Sequence, residues 1–157
     1  MTQEEFAGRI VAMQDTLYRV STTILPQLCD REDAVQGAIE KAWRKQNRLR
    51  DDDALRAWVI RILINECYTL LRRRKRETPS ATLPERETEP DALPGLYRLI
   101  TALDEKYRLP MVLHYVEGYS VEECARMLGL PQGTLKSRLH RGRQLLRNQL
   151  DMEEARV

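Results

Sequence analysis

SVEECARMLGLPQGTLKSRLHRGRQLLR, residues 120–147, is the stretch whose reading decides the fold. Ser120 is a good helix cap, and Glu123 follows at the capping-box spacing. A short helix is therefore expected over about 121–128. Gly129 ends it in a tight turn. Pro131 is tolerated in a first helical turn, so a longer helix is expected from there to about Leu150. A short capped helix, a glycine turn and a longer basic helix form a helix-turn-helix signature. Val121, Ala125 and Leu128 pack the first helix inward, and Leu130 plugs the turn. Leu135, Leu139, Gly142 and Leu146 form the buried stripe of the second helix, with Gly142 admitting a close neighbour. Projected at about 100° per residue, the opposite face presents Gly133, Ser137, His140, Arg141 and Gln144, flanked by Thr134 and Lys136. Such a face suits the major groove, where Arg and Lys reach guanine edges or phosphates. A solvated hairpin in a helical bundle would share the periodicity. The agreement of turn, cap and basic face favours DNA.

The rest of the chain reads as helical too. No Val/Ile/Thr-rich alternating strand and no Asn-Gly or Asp-Gly hairpin signal occurs. Phe6, Ile10, Met13 and Leu17 predict a first helix over about 3–20, and Pro26 breaks the pattern. Asp30 is a candidate cap for a second helix with Ala34, Val35, Ala38, Ile39, Ala42 and Trp43 as its apolar stripe. Asp51, Asp52 and Asp53 precede a third helix, where negative charge favours the positive dipole end. It runs to about Lys75, with Leu55, Val59, Ile62, Leu63 and Leu70 on one side and a polar stripe of Arg61, Asn65, Tyr68 and Arg72. Glu66 projects towards the apolar side, where a nearby Arg is a possible partner. Residues 77–94, with Pro79, Pro84, Pro90 and Pro94 among Glu and Thr, read as an extended linker. Helices at about 95–104 and 106–117 follow. The expected class is all-α: a helical domain over 1–76, the Pro/Glu-rich linker 77–94, a helix-turn-helix domain over 95–150 and a tail 151–157.

Charge divides along the same lines. The formal net charge is only +2. Residues 54–76 hold seven Lys/Arg against one acid, residues 124–150 hold six against none, and residues 77–94 hold one against five. Two basic segments suggest two surfaces for a polyanion. The run Arg72-Arg73-Arg74-Lys75-Arg76 ends a helix that also carries Trp58, Asn65 and Tyr68, which favours nucleic acid over a solvated tail. Trp43 reads as core, and Trp58 lies at the edge of the apolar side.

Other chemistry finds little support. Cys29, Cys67 and Cys124 are odd in number and far apart, so neither a disulfide framework nor a zinc knuckle is expected. Each reads as a small apolar residue in a reducing compartment. His114, among Met111, Val112, Leu113 and Tyr115, reads as a packing residue. Walker A, GxSxG, GxGxxG and HExxH sequences are absent. No metal, cofactor or catalysis is expected. Met1 is followed by polar and acidic residues, so no signal peptide is expected. The longest apolar runs are three or four residues, too short to insert in a membrane. A cytoplasmic protein is expected.

Three stretches together resemble the extracytoplasmic-function (ECF) group of bacterial RNA polymerase sigma factors, over nearly the whole length: DREDAVQGAIEKAW (30–43), LRAWVIRILINECYTLLRRRKR (55–76) and EGYSVEECARMLGLPQGTLKSRLHRGRQLLR (117–147). The resemblance implies two helical domains, regions 2 and 4. It implies that Asp33 and Gln36 dock on a coiled coil of the polymerase largest subunit. It implies that Arg61, Asn65, Tyr68, Arg72 and Arg73 contact the −10 element as single-stranded DNA, with Asn65 near a flipped-base pocket. Thr134, Lys136, Ser137, Arg138, His140 and Arg141 would read the −35 element, and about 95–117 would contact the polymerase flap. The implied partners are core RNA polymerase, promoter DNA and a separate anti-sigma factor. The chain departs from the family at Gly37, where an acid is usual, at Pro131, where a capping Ser is common, and at Thr69, where Asp is frequent. A stand-alone helix-turn-helix regulator would explain 120–147 but not 30–43 or 55–76. A pure protein-interaction module, such as an anti-sigma antagonist, would not need the basic face.

Overall fold

The computed structural model describes residues 1–77 and 95–155. Among the described residues every regular element is helical and no strand occurs, and they fall into two units. The linker reading of 77–94 lies almost wholly outside them.

The first unit holds four helices: α1 (Gln3–Ala12), α2 (Gln14–Ile24), α3 (Leu28–Arg44) and α4 (Leu55–Glu77). Thr2 and Glu5 form a reciprocal capping box at the start of α1. The single expected helix over 3–20 is in fact two. At Met13 the backbone leaves helical geometry (φ −103°, ψ 10°), and its N–H reaches the carbonyls of Arg9 and Ile10. Phe6, Ile10, Met13 and Leu17 are all buried regardless. Their apolar spacing survives a one-residue break, so periodicity alone could not register it. α2 then continues to Ile24 through Ser21, Thr22 and Thr23, all buried. Their hydroxyls donate back to the carbonyls of Tyr18 and Arg19 at 2.7–3.0 Å, which satisfies them inside the core.

Asp30 is not the cap of α3. The helix begins at Leu28, and Asp30 lies buried within its first turn. Its carboxylate accepts from Arg74 Nε and Nη2 near the end of α4, with Nη2–Oδ1 at 2.7 Å. Arg31 is fully buried as well. It donates to the carbonyls of Leu25 and Pro26, closing the α2–α3 corner. α3 and α4 make the main helix contact of the unit, and α4 also packs on α2. Leu55, Val59, Ile60, Leu63, Ile64 and Cys67 are the buried residues of α4, whereas Ile62 and Leu70 are only half-buried. Glu66 pairs with Lys41. Its carboxylate lies over Gly37: a Cβ there would stand 3.1 Å from Glu66 Oε2. Trp43, expected in the core, is 41% exposed and meets Phe6 edge-on at 5.7 Å. Cys29 is exposed, so it does not act as a core residue, while Cys67 and Cys124 are buried.

The second unit holds α5 (Gly95–Thr101), α6 (Glu105–Met111), α7 (Val121–Leu128) and α8 (Gln132–Ala155). The continuous helix expected over 106–117 gives way at Val112–Val116 to a π-helical turn. It follows Pro110, which lies inside α6 and lacks the N–H of the regular ladder. The wider turn is closed by Glu117 N–H on the Val112 carbonyl, 2.9 Å. α6 packs on α8, and α5 and α7 flank them. Tyr97, Ile100, Leu109, Met111, Leu113, Cys124, Met127, Leu135 and Leu139 fill the core. α8 continues to Ala155, five residues past its expected end near Leu150.

Candidate nucleic-acid interfaces

The helix-turn-helix forms through local capping and turn chemistry. Ser120 Oγ accepts from Glu123 N–H at 3.1 Å, satisfying one of the open donors of α7. Gly129 adopts a left-handed conformation (φ 65°, ψ 35°), which reverses the chain without a Cβ clash. Leu130 N–H then bonds the Ala125 carbonyl at 3.0 Å and locks the turn. Leu135, Leu139 and Gly142 are buried, while Leu146, Val121, Leu128 and Leu130 are half-buried. Gly142 sits directly on Met111, whose Sδ would be 2.9 Å from a Cβ at that position. This contact holds α8 against α6 and so sets which side of α8 faces outward.

That outward side carries Gly133, Thr134, Lys136, Ser137, His140, Arg141 and Gln144, all exposed. Ser137 Oγ donates to the Gly133 carbonyl at 3.0 Å, and Arg141 Nη1 reaches Gln144 Oε1 at 3.3 Å. Arg138 is half-buried and turns towards the apolar side of the helix, away from the centre of the exposed row. His114 is half-buried, with Nδ1 2.7 Å from the Tyr119 carbonyl oxygen.

In the first unit, Arg61, Asn65, Arg72 and Arg73 are exposed along α4 and Tyr68 is half-buried. Thr69 hydroxyl donates to the Asn65 carbonyl at 2.8 Å and accepts from Arg72 Nη2 at 3.4 Å. Arg74, in the middle of the basic run, is taken up by Asp30, whose carboxylate raises the guanidinium pKa further through a hydrogen bond and charge. The run therefore has Arg74 ion-paired with the protein, while Arg72, Arg73, Lys75 and Arg76 are exposed. Asn65 borders an open hollow of about 370 Å³ lined also by Lys45, Arg48, Trp58, Arg61 and Ile62. Sequence reading placed Arg61 and Asn65 on one stripe but missed Lys45 and Arg48. These follow α3 and reach the hollow through the 3₁₀ turn Gln46–Arg48, whose placement no periodicity encodes. Periodicity puts Ile62 on the apolar side of α4 and Trp58 at its edge, yet both line the hollow. The hollow combines three cations with an aromatic wall, the composition that receives an unstacked base and its phosphate. Asp33 and Gln36 are exposed on α3. Among the described residues no group of His, Cys, Asp and Glu is arranged to hold a metal ion, and no helix is long and apolar enough to cross a membrane.

Comparison with known proteins locates both units in one family. The profile of Sigma-70 region 2 matches residues 10–77, and that of Sigma-70, region 4 matches residues 95–146. The RNA polymerase sigma-E factor of Streptomyces coelicolor is 33% identical over 152 residues, covering 93% of this chain and 86% of that protein. The ECF RNA polymerase sigma factor SigM of Mycobacterium tuberculosis is 35% identical over 120 residues, 73% of this chain, and the match spans 61% of SigM. Among solved structures, the sigma factor RpoE of Bartonella quintana, crystallised with the anti-sigma factor NepR, superposes with a TM-score of 0.83 at 27% identity. It covers 94% of this chain and 98% of that one. CnrH, solved with the cytosolic domain of CnrY, has a TM-score of 0.69 at 22% identity, a likeness of fold. With both conserved regions matched in order, and a relative matched over most of its own length, the chain belongs to the sigma-70 family, in the extracytoplasmic-function group of RNA polymerase sigma factors.

Proposed function

We propose that the chain directs core RNA polymerase to specific promoters, reading duplex DNA with α8 and single-stranded DNA with α4. The observation that carries this reading is the presence in one chain of two different nucleic-acid surfaces. One is a straight exposed helix face behind a glycine turn. The other is a cationic, aromatic-walled hollow beside Asn65. A duplex-reading module alone would need only the first. On α8, Lys136, Ser137, His140 and Arg141 face the major groove of the −35 element, with Thr134 at the start of the helix and Arg138 at the margin. On α4, Asn65 and Arg61 receive an extruded base of the −10 element, Trp58 offers a stacking surface, and Tyr68, Arg72 and Arg73 hold the strand. The exposed Asp33 and Gln36 on α3 dock on the polymerase. The chain performs no catalysis, works in the cytoplasm, and is held in check by an anti-sigma protein, as RpoE and CnrH are found with NepR and CnrY.

Run-off transcription with purified core polymerase on fragments of the source genome tests this directly. Transcripts that require the chain are expected. Their absence, with no binding to core, would replace the reading with that of a stand-alone regulator. Their absence despite tight core binding would point to an antagonist. Two substitutions separate the surfaces. R141A should weaken binding to the upstream duplex by about tenfold or more, the value of one good base contact, and leave core binding intact. N65A should impair strand opening, read with permanganate, more than duplex docking.

A further inference from the structure

One polar pair beside the reading face of α8 is unused by the function proposed above. Arg143 Nη1 donates to the hydroxyl oxygen of Tyr115 at 2.6 Å, across 28 positions of sequence. Tyr115 comes from the π-helical turn, not from the helix-turn-helix. Its ring is backed edge-on by His114, with centroids 4.7 Å apart and planes at 73°. His114 in turn is fixed by the Tyr119 carbonyl, so the phenol is held from behind even though Tyr115 is 42% exposed. On α8, Arg143 stands seven residues from Lys136 and four from Arg147. At helical spacing the three share one edge, adjoining His140 on the reading face. All three are exposed.

The donors of this pair suit a single anionic oxygen group. A phenol that accepts a hydrogen bond keeps its own O–H to donate elsewhere, and a guanidinium has five N–H donors, of which this contact uses one. The guanidinium and phenol thus present converging donors on the flank of a helix whose face is basic. Backbone phosphates are bound by such Arg and Tyr donors, and these contacts fix orientation without reading sequence.

We propose that Tyr115 and Arg143 form a clamp for one backbone phosphate of the duplex read by α8, with Tyr115 positioning the guanidinium and adding its own hydrogen bond. The clamp ties α8 to the π-helical turn and sets the angle at which the helix enters the groove. It rests on the reading of α8 as a duplex-binding helix.

The test is fluorescence anisotropy of the full chain with a mixed-sequence duplex of about 20 bp, titrated between about 50 and 200 mM salt. In the native chain the logarithm of affinity should fall linearly with the logarithm of salt. R143Q should reduce that slope by about 0.9, the value for one phosphate. Y115F should leave the slope unchanged and weaken binding about three- to tenfold, the effect of one hydrogen bond. The double variant should be weaker than R143Q by less than Y115F is weaker than native, because the positioning role of Tyr115 is lost with Arg143 while its own hydrogen bond is not. Native melting of Y115F, by circular dichroism, separates this from a folding defect. An R143Q slope equal to the native one overturns the clamp, as does Y115F binding within twofold of native. Salt-dependent duplex binding retained at native strength by both variants would then show that α8 binds duplex without the clamp. A native chain without salt-dependent duplex binding overturns the reading of α8 and the clamp with it.

Discussion

Two glycines in helix interiors show how a residue is chosen by what stands over it. Gly142 lies beneath Met111, whose Sδ and Cγ would be 2.9 and 3.0 Å from a new Cβ. Met111 is itself buried and has little room to move. G142A should therefore destabilise the second unit by about 1 kcal/mol, overpacking outweighing the gain in helix propensity. Thermal denaturation followed by circular dichroism checks this, and a higher melting temperature would mean that Met111 reseats freely. Gly37 is different, because the obstacle is the flexible end of Glu66. G37A gains about 0.5–1 kcal/mol of helix propensity but displaces Glu66 from Lys41, so the net change should be near zero. In an E66A background the full gain should appear. Urea denaturation of the four chains measures the coupling, and strict additivity would show that Glu66 moves aside without loss. The space that a side chain at position 37 would enter is occupied by the carboxylate of Glu66.

At the scale of elements, the caps and corners decide where each helix starts and in which direction it leaves. The cap on α7 is a single hydroxyl, Ser120, bonded to Glu123 N–H. The exit from α7 is a single left-handed residue, Gly129. S120A should cost about 0.5–2 kcal/mol, and G129A about 1–2 kcal/mol, in the stability of the second unit. The two differ in a further respect. Gly129 sets the angle between α7 and α8, so G129A should also weaken duplex binding at temperatures where the chain remains folded, whereas S120A should not. Equal binding by both variants would show that the core of the unit, not the turn, fixes the angle. The π-helical turn is the corresponding device on the other side. It follows Pro110, and its extra residue carries Tyr115 out towards α8.

At the scale of the whole molecule, each unit has its own core and its own spectroscopic handle. Both tryptophans, Trp43 and Trp58, belong to the first unit. Tryptophan fluorescence should therefore follow residues 1–77, while circular dichroism follows both units. G142A should move part of the dichroism transition and leave the fluorescence transition in place. A shift of both together would mean that the units unfold as one. Each unit also buries one thiol. Burial, with Glu66 adding to it, pushes Cys67 up to about 12. Burial and then Glu123 push Cys124 to about 11. The folded chain favours the neutral thiols, so their contribution is intact below the ordinary thiol value of 9.0 and is lost as pH rises through 9 towards 11–12. The melting temperature should fall above about pH 9, and less steeply in the C67A/C124A chain. Equal slopes would assign the alkaline loss to other groups.

Much of this protein was determined by local sequence. Ser120, Gly129 and the apolar spacing of α8 specify the helix-turn-helix, because caps, left-handed turns and helical periodicity act over three to seven residues. The same periodicity placed Arg61, Asn65 and Arg72 on one exposed side of α4 and Thr134, Ser137, His140 and Arg141 on the open side of α8. Tertiary structure decided what periodicity cannot carry. It broke the first helix at Met13, where the buried face continues through the interruption. It moved Asp30 from a cap to the partner of Arg74, since a carboxylate at a helix start serves either role until a distant cation arrives. It brought Lys45 and Arg48 beside Asn65, and Tyr115 beside Arg143, through a 3₁₀ turn and a π-helical turn. Contacts made across tens of residues depend on how helices pack, and packing is a property of the assembled core rather than of any one segment.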